Sequence, residues 1–271
     1  MDKGIRINSI RTIDQSDLST AKNKGEDAMR KLSLDLGTTR ASDDAAGIGI
    51  SERMRSLIRS LDQASSNTLD GVHMAQAASS AMGDASNLLG RMRELAMQSS
   101  NGTLSDADRA IIDEEYQGLA KGLDDLGTKA EFNGQALLDG SSPSVTIQSG
   151  AEGSETIEIE MTELSAAAVG VDGEDLSSAD GAQAALSAID DAIAFVGEVQ
   201  GNLGASVSTL QTHHAVLRQS SIQLSASESR MRDVDVAMET AVLVKQQILS
   251  KGSAAVLSQS MINAHTAQGL L

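Results

Sequence analysis

The sequence predicts a mainly α-helical protein: a long coiled-coil-like helical bundle with one small β-hairpin. Three observations carry that reading. A single Pro in 271 residues leaves very long stretches free of helix breakers. A stripe of 3.5-residue period runs unbroken from Leu57 to Ala96. Strict apolar/polar alternation occurs convincingly only at Val145–Ile147 and Ile157–Met161. Two Phe, one Tyr and no Trp leave the core to Ala, Leu, Ile, Val and Met, which argues against an enzyme with an aromatic-lined pocket.

Near the start, Leu18, Gly25 and Leu32 fall seven apart, as do Ala21 and Ala28. Residues 43–100 then read as one long helix, with Asp43 and Asp44 at its N-terminus and Asn101-Gly102 as the stop. Its stripe is Leu57, Leu61, Ala64, Thr68, Gly71, Ala75, Ala78, Met82, Ala85, Leu89, Met92 and Ala96. Most of these are small, so partner helices can approach closely. Residues 105–129 form a second helix opened by Ser105-Asp106-Ala107-Asp108, with Ile111, Ile112, Tyr116, Leu119, Leu123 and Leu126 as its apolar face.

Asn133-Gly134 is a turn signal. The hairpin follows, with Gly150–Gly153 between its strands and Glu158 and Glu160 toward solvent. Residues 165–180 read as a loop or short helix. From about Asp180 to His265 the chain is helical again, with Gly201–Gly204 as the expected irregularity. Near the end, Ala241, Ile248, Ala255 and Ile262 fall seven apart, and so do Val242, Leu249 and Val256. The stripes at the two ends are too thin to form a globule alone. They suit pairing with each other or with copies from neighbouring chains.

Charge is distributed unevenly around a formal net of −17. Residues 139–200 hold thirteen acidic side chains and no Lys or Arg, while residues 1–42 and 201–271 are nearly balanced. The acidic block requires water around it, and the balanced ends tolerate close packing. Such a net charge disfavours a sequence-independent grip on nucleic acid. No apolar run reaches membrane-span length, so no membrane insertion is expected, and no cleavable secretory pattern opens the chain.

Catalytic chemistry finds little support. Zero Cys excludes disulfides and thiolate metal sites. His73, His213, His214 and His265 do not cluster with carboxylates at ligand spacing and read as surface residues. Gly47-Ile-Gly49 lacks the third glycine and the preceding strand of a dinucleotide fingerprint. No catalytic, cofactor-binding or metal-ligating residue is assigned, and neither enzyme activity nor a cofactor is expected.

Several segments together resemble bacterial flagellin. They are Ala41–Gly47 with Ile50–Arg53, Leu61–Ser65, Asn67–Gly71, Arg91–Gln98 with Ser100–Thr103, and Phe132–Gly134 with Leu137-Leu138. Toward the C-terminus, Ser229–Asp235, Gln247–Leu249 and Leu270-Leu271 fit as well. Departures fall in or beside the terminal arms: Leu34-Asp35 replaces the usual Ser-Gly, and Val236 stands where the family has Tyr.

The resemblance implies a structural subunit that self-assembles into the flagellar filament used for motility. Its domains are discontinuous and formed by both termini. Residues 1–42 and 229–271 are terminal arms of the inner filament core, 43–138 and 181–228 the long-helix bundle, and 139–180 an acidic surface hairpin and loop. The arm positions carrying assembly are Leu18, Ala21, Ala28, Leu32, Ala241, Ile248, Leu249, Ala255, Val256 and Ile262.

The implied partners are further copies in a helical homopolymer, a flagellar export chaperone and the export apparatus, and cap and hook-junction proteins. Arg91, Leu95 and Glu115 match positions through which stimulatory flagellins contact Toll-like receptor 5. The implied location is an extracellular filament, or a periplasmic one. A hook–filament junction protein shares the arms and long helices, though the Arg91–Gln98 and Asn101–Thr103 matches favour flagellin. A soluble coiled-coil adaptor is the alternative of a different class, separated by self-assembly.

Overall fold

The computed structural model describes residues 2–37 and 45–268, with side chains over 15–37 and 45–262. In chain order the elements are α1 (Asp2–Leu34), α2 (Ala45–Ser99), α3 (Asp106–Lys129), β1 (Glu131–Phe132), β2 (Gln135–Ala136), β3 (Ser144–Gln148), β4 (Thr156–Glu160), α4 (Ala179–Arg232) and α5 (Val236–Gln268). They divide into two compact units, one of residues 59–222 and one of residues 1–58 with 223–271. Asp43 and Asp44, expected to open α2, lie outside the described residues.

In the 59–222 unit the α2 stripe faces the core from Leu61 to Ala96, and Ala75, Ala78, Met82, Ala85, Leu89, Met92 and Ala96 are fully buried. Thr68 is tolerated there because its hydroxyl donates to the Ala64 carbonyl at 2.7 Å. The matching stripe on α4 is Ala182, Ala185, Ile189, Ala192, Val196, Val199, Leu203, Leu210 and Leu217. It runs uninterrupted through Gly201–Gly204, where the sequence suggested an irregularity.

Helix α3 starts from a capping box. The Ser105 hydroxyl accepts from the Asp108 amide, and the Asp108 carboxylate accepts from the Ser105 amide. Ile112, Tyr116 and Leu123 are buried, but Ile111 is 69% exposed. Adjacent helical residues diverge by about 100°, so Ile111 and Ile112 cannot share the core face. The Tyr116 hydroxyl donates to the Val171 carbonyl at 3.2 Å. Burial, and secondarily Glu174, Asp113 and Asp172, push its pKa above the usual phenol value.

Asn133-Gly134 does more than turn the chain. Their φ angles of 52° and 79° are the two consecutive left-handed residues of a two-residue hairpin turn, which pairs β1 with β2. Strands β3 and β4 pair antiparallel with Val145 opposite Ile159 and Ile147 opposite Ile157. Ile159 is buried while Glu158 and Glu160 are exposed, in keeping with the alternation. The hairpin rests on α2, where Asn67 donates to the Gln148 carbonyl at 3.3 Å and a Cβ on Gly71 would meet Ile147 at 3.0 Å.

Residues 161–178 form an irregular segment held by side chains of α3. Asp124 accepts from the Ala166 amide at 2.8 Å, Asp113 from the Leu176 amide at 3.0 Å, and Gln117 donates to the Glu174 carbonyl at 2.8 Å. Met161, Leu164, Ala166, Val169, Val171 and Leu176 are all buried. The acidic stretch is therefore two-sided, with its carboxylates outward and its apolar residues completing the core.

In the other unit, α1 packs against α5. The helix expected from Asp180 to His265 breaks at Asp233–Asp235. Asp235 caps α5 by accepting from the Met238 amide at 3.0 Å, and the Gly37 amide donates to the Arg232 carbonyl at 2.7 Å. The break thus has two local causes, a new N-cap and a backbone tie to the end of α1.

Candidate functional site

The α1–α5 pair carries the residues singled out for assembly. On α1, Ala21 and Ala28 are buried while Leu18, Gly25 and Leu32 are half-buried. Their spacing of three and four makes one seam. A Cβ on Gly25 would lie 3.6 Å from the Cβ of Gln246, so the backbones come close. On α5 the residues with reduced exposure at heptad spacing are Glu239, Leu243, Gln246, Ser250, Ser253, Leu257 and Ser260. The Lys31 ammonium stands 4.0 Å from the Glu239 carboxylate in that seam. The α1 side is made of small and aliphatic residues, and the α5 side adds Leu243 and Leu257 to Glu239, Gln246 and three Ser, so the seam offers modest apolar burial to hold two helices together.

The apolar stripes of α5 lie elsewhere. Ala241, Ile248, Ala255 and Ile262 are exposed, Ile248 at 65%, and Leu249 and Val256 are exposed beside them. Within the pair, α1 does not cover these residues. Every heptad position repeats at seven, so spacing alone could not tell the α1-facing line from the opposite one. The signal for the true seam was Leu243 and Leu257, 14 apart, on a line otherwise of small or polar residues at 239, 246, 250, 253 and 260, which periodicity of apolar residues passes over.

At the second predicted site the structure joins two of three residues. Both Nε and Nη2 of Arg91 donate to one oxygen of Glu115, at 3.1 and 2.7 Å, and Nη1 donates to Glu94 at 2.9 Å. The Glu115 hydrogen bond, then the Glu94 one, raises the Arg91 pKa further. Both partners are half-exposed. Leu95, by contrast, is 1% exposed and belongs to the core, so it supports the surface from beneath and cannot itself be touched.

One expectation is corrected at His214, which the sequence placed on the surface, and Arg109 carried no sequence signal. His214 is half-buried, with Nδ1 3.0 Å from the Ser65 hydroxyl and 3.1 Å from its carbonyl oxygen. Arg109 is buried and donates to the carbonyls of Asn101 and Leu104, fixing the turn between α2 and α3. Among the described residues no group of three or more His, Cys, Asp or Glu side chains is placed to hold a metal, and no helix is long and apolar enough to cross a membrane.

The sequence family of the bacterial flagellin N-terminal helical region matches residues 5–143, and that of the flagellin C-terminal helical region matches residues 186–268. The chain belongs to the bacterial flagellin family. It is 42% identical over 240 residues to a flagellin of Halalkalibacterium halodurans, covering 88% of each chain. It is 34% identical over 266 residues to the flagellar filament 33 kDa core protein of Treponema phagedenis, covering 92% of this chain and 91% of that one. A crystal structure of Bacillus cereus flagellin superposes with a TM-score of 0.51 at 25% identity, over 56% of this chain and 88% of that one.

Membership makes this chain a structural subunit of the flagellar filament, extracellular or periplasmic. Both matched regions are the helical ends. The interval that neither family covers, 144–185, holds β3, β4 and the irregular acidic segment.

Proposed function

We propose that the α1–α5 pair is the polymerising part of this flagellin, and that the stripe of α5 containing Ile248, Leu249 and Val256 is buried against neighbouring copies. The single observation that carries this is the exposure of those residues on a helix whose other side already faces α1. A continuous apolar face on a soluble chain marks an association surface. On this reading residues 1–42 and 229–271 form the inner filament core, 43–138 and 181–228 a long-helix layer around it, and 139–180 the outermost face.

The test is Ile248→Asp. The side chain is already solvated in the free chain, so the urea midpoint of unfolding stays unchanged. Filaments, followed by sedimentation and negative-stain microscopy, are lost, because each would bury an unpaired carboxylate. Normal filaments from this variant would overturn the assignment.

The same face supports the finer partners. Before assembly it is the surface an export chaperone would cover on the way to the export apparatus. At the filament ends it is what cap and hook-junction proteins would meet. The solvent-accessible Arg91–Glu115 pair supports, separately, recognition of the monomer by Toll-like receptor 5.

A further inference from the structure

We propose that Met238 is an oxidation-sensitive position that controls assembly: its conversion to the sulfoxide in the free chain blocks entry into the polymer. The inference rests on the polymerising face proposed above and adds a chemical modification to it. Met238 is 63% exposed. It lies 11 residues before Leu249 and 18 before Val256, about three and five helical turns, so it heads the same line along α5. Met74, Met82 and Met92, by contrast, are sealed in the 59–222 core at 4%, 0% and 0% exposure. Met29, Met97, Met231 and Met261 are exposed as well, and what singles out Met238 among them is its place on the Leu249–Val256 line.

The chemistry is a two-electron oxygen transfer. The Met238 sulfur attacks one oxygen of hydrogen peroxide, the O–O bond breaks, and the departing hydroxide takes up the proton of the transferred oxygen. An S–O bond forms, the sulfur is oxidised, and the peroxide is reduced to water. An apolar, flexible side chain becomes a polar, chiral one. In the free chain that change is solvated and harmless. In a packed interface the sulfoxide oxygen is desolvated, which opposes association. Once buried, the sulfur is shielded from oxidant, so the sensitivity belongs to the subunit before assembly.

The experiment treats the full-length chain with hydrogen peroxide, quenches it, locates sulfoxides by peptide mass spectrometry, and measures the critical concentration by sedimentation. Met238 is expected to convert well before Met82 and Met92. The critical concentration is expected to rise about tenfold, the factor that roughly 1.4 kcal/mol per subunit produces. Methionine sulfoxide reductase should restore assembly. Met238→Leu should assemble normally before and after treatment, Met97→Leu should remain sensitive, and untreated Met238→Gln should mimic the oxidised chain. Unchanged assembly with Met238 fully oxidised, or equal inhibition of the Met238→Leu chain, overturns the proposal. If the untreated chain does not polymerise at all, the polymerisation reading itself fails, and this inference with it.

Discussion

The carbonyl oxygen of Leu164 occupies the place where a side chain on Gly127 would stand: a Cβ there would lie 1.8 Å from it. This is where the segment leaving β4 crosses α3, and the same Leu164 is held from its other side by the Leu138 carbonyl at 2.8 Å. The obstacle is backbone and cannot rotate away. Gly127→Ala is therefore expected to destabilise the 59–222 unit by about 2 kcal/mol: roughly 3 for forced displacement, offset by about 1 from helix propensity. Gly118, on the same helix, has nothing within 4 Å of its Cβ position. Gly118→Ala should stabilise by up to about 1 kcal/mol. Urea midpoints that moved in the same direction for both would contradict this account.

Acid should weaken the fold through a small set of carboxylates. Hydrogen bonds from Ser105 hold Asp108 below its usual pKa, the Arg93 hydrogen bond does so for Asp190, and Ser141 for Asp139. A depressed folded-state pKa gives a contribution that is complete above the unfolded value, near 4, and lost as pH falls through the folded value. Thermal midpoints should thus be level near neutrality and drop below about pH 4. Ser105→Ala removes the N-cap at a cost of about 1 kcal/mol and should also flatten the acid-side slope. A slope identical to that of the parent chain would dissociate Asp108 from the effect.

The turn joining β3 and β4 is expected to accept foreign sequence. Ala151–Ser154 are exposed, and Gln148 braces the turn by donating to the carbonyls of Gly150, Glu152 and Glu155. With β3 and β4 paired beneath, a short epitope replacing Ala151–Ser154 should leave filaments intact and label them along their length. A matching insertion near Ala255 should stop assembly. Antibody that fails to bind intact tagged filaments would show that the acidic segment does not face outward.

The proposed receptor contact draws a sharper distinction between surface and core. Arg91→Ala removes an exposed guanidinium and should weaken binding of the purified monomer to Toll-like receptor 5. As an exposed, solvent-screened ion pair, its loss should leave the urea midpoint close to that of the parent chain. Leu95→Ala creates a core cavity and should cost about 2–5 kcal/mol, lowering binding only through loss of folded protein. Binding that persists unchanged in Arg91→Ala would remove that residue from the contact.

The sequence revealed those features that depend on local repetition. The α2 stripe, the Ser105 cap and the β3–β4 alternation each follow from residues a few positions apart, and all are present in the structure. What it concealed depends on contacts distant along the chain. That α1 meets the Leu243–Leu257 line of α5, leaving Ile248 outside, is decided between residues about 220 apart, as Gly25 and Gln246 show. The burial of Val171 and Leu176 within an acidic stretch is likewise set by α3, whose Asp113 and Tyr116 receive that segment. The end of α4 at Arg232 was hidden because Asp233 and Asp235 read equally well as ordinary surface acids in a long helix.

Tyr116 is the only tyrosine of a chain that has no tryptophan, and it sits fully enclosed beneath Val171. The protein therefore carries one fluorophore that can be excited beyond the phenylalanine band, built into the 59–222 core and absent from α1 and α5. Its emission reports whether that core is closed and is blind to the terminal pair, whereas far-ultraviolet dichroism sums over every helix. Recording both signals on one sample separates the loosening of the ends from the melting of the centre, with no label attached.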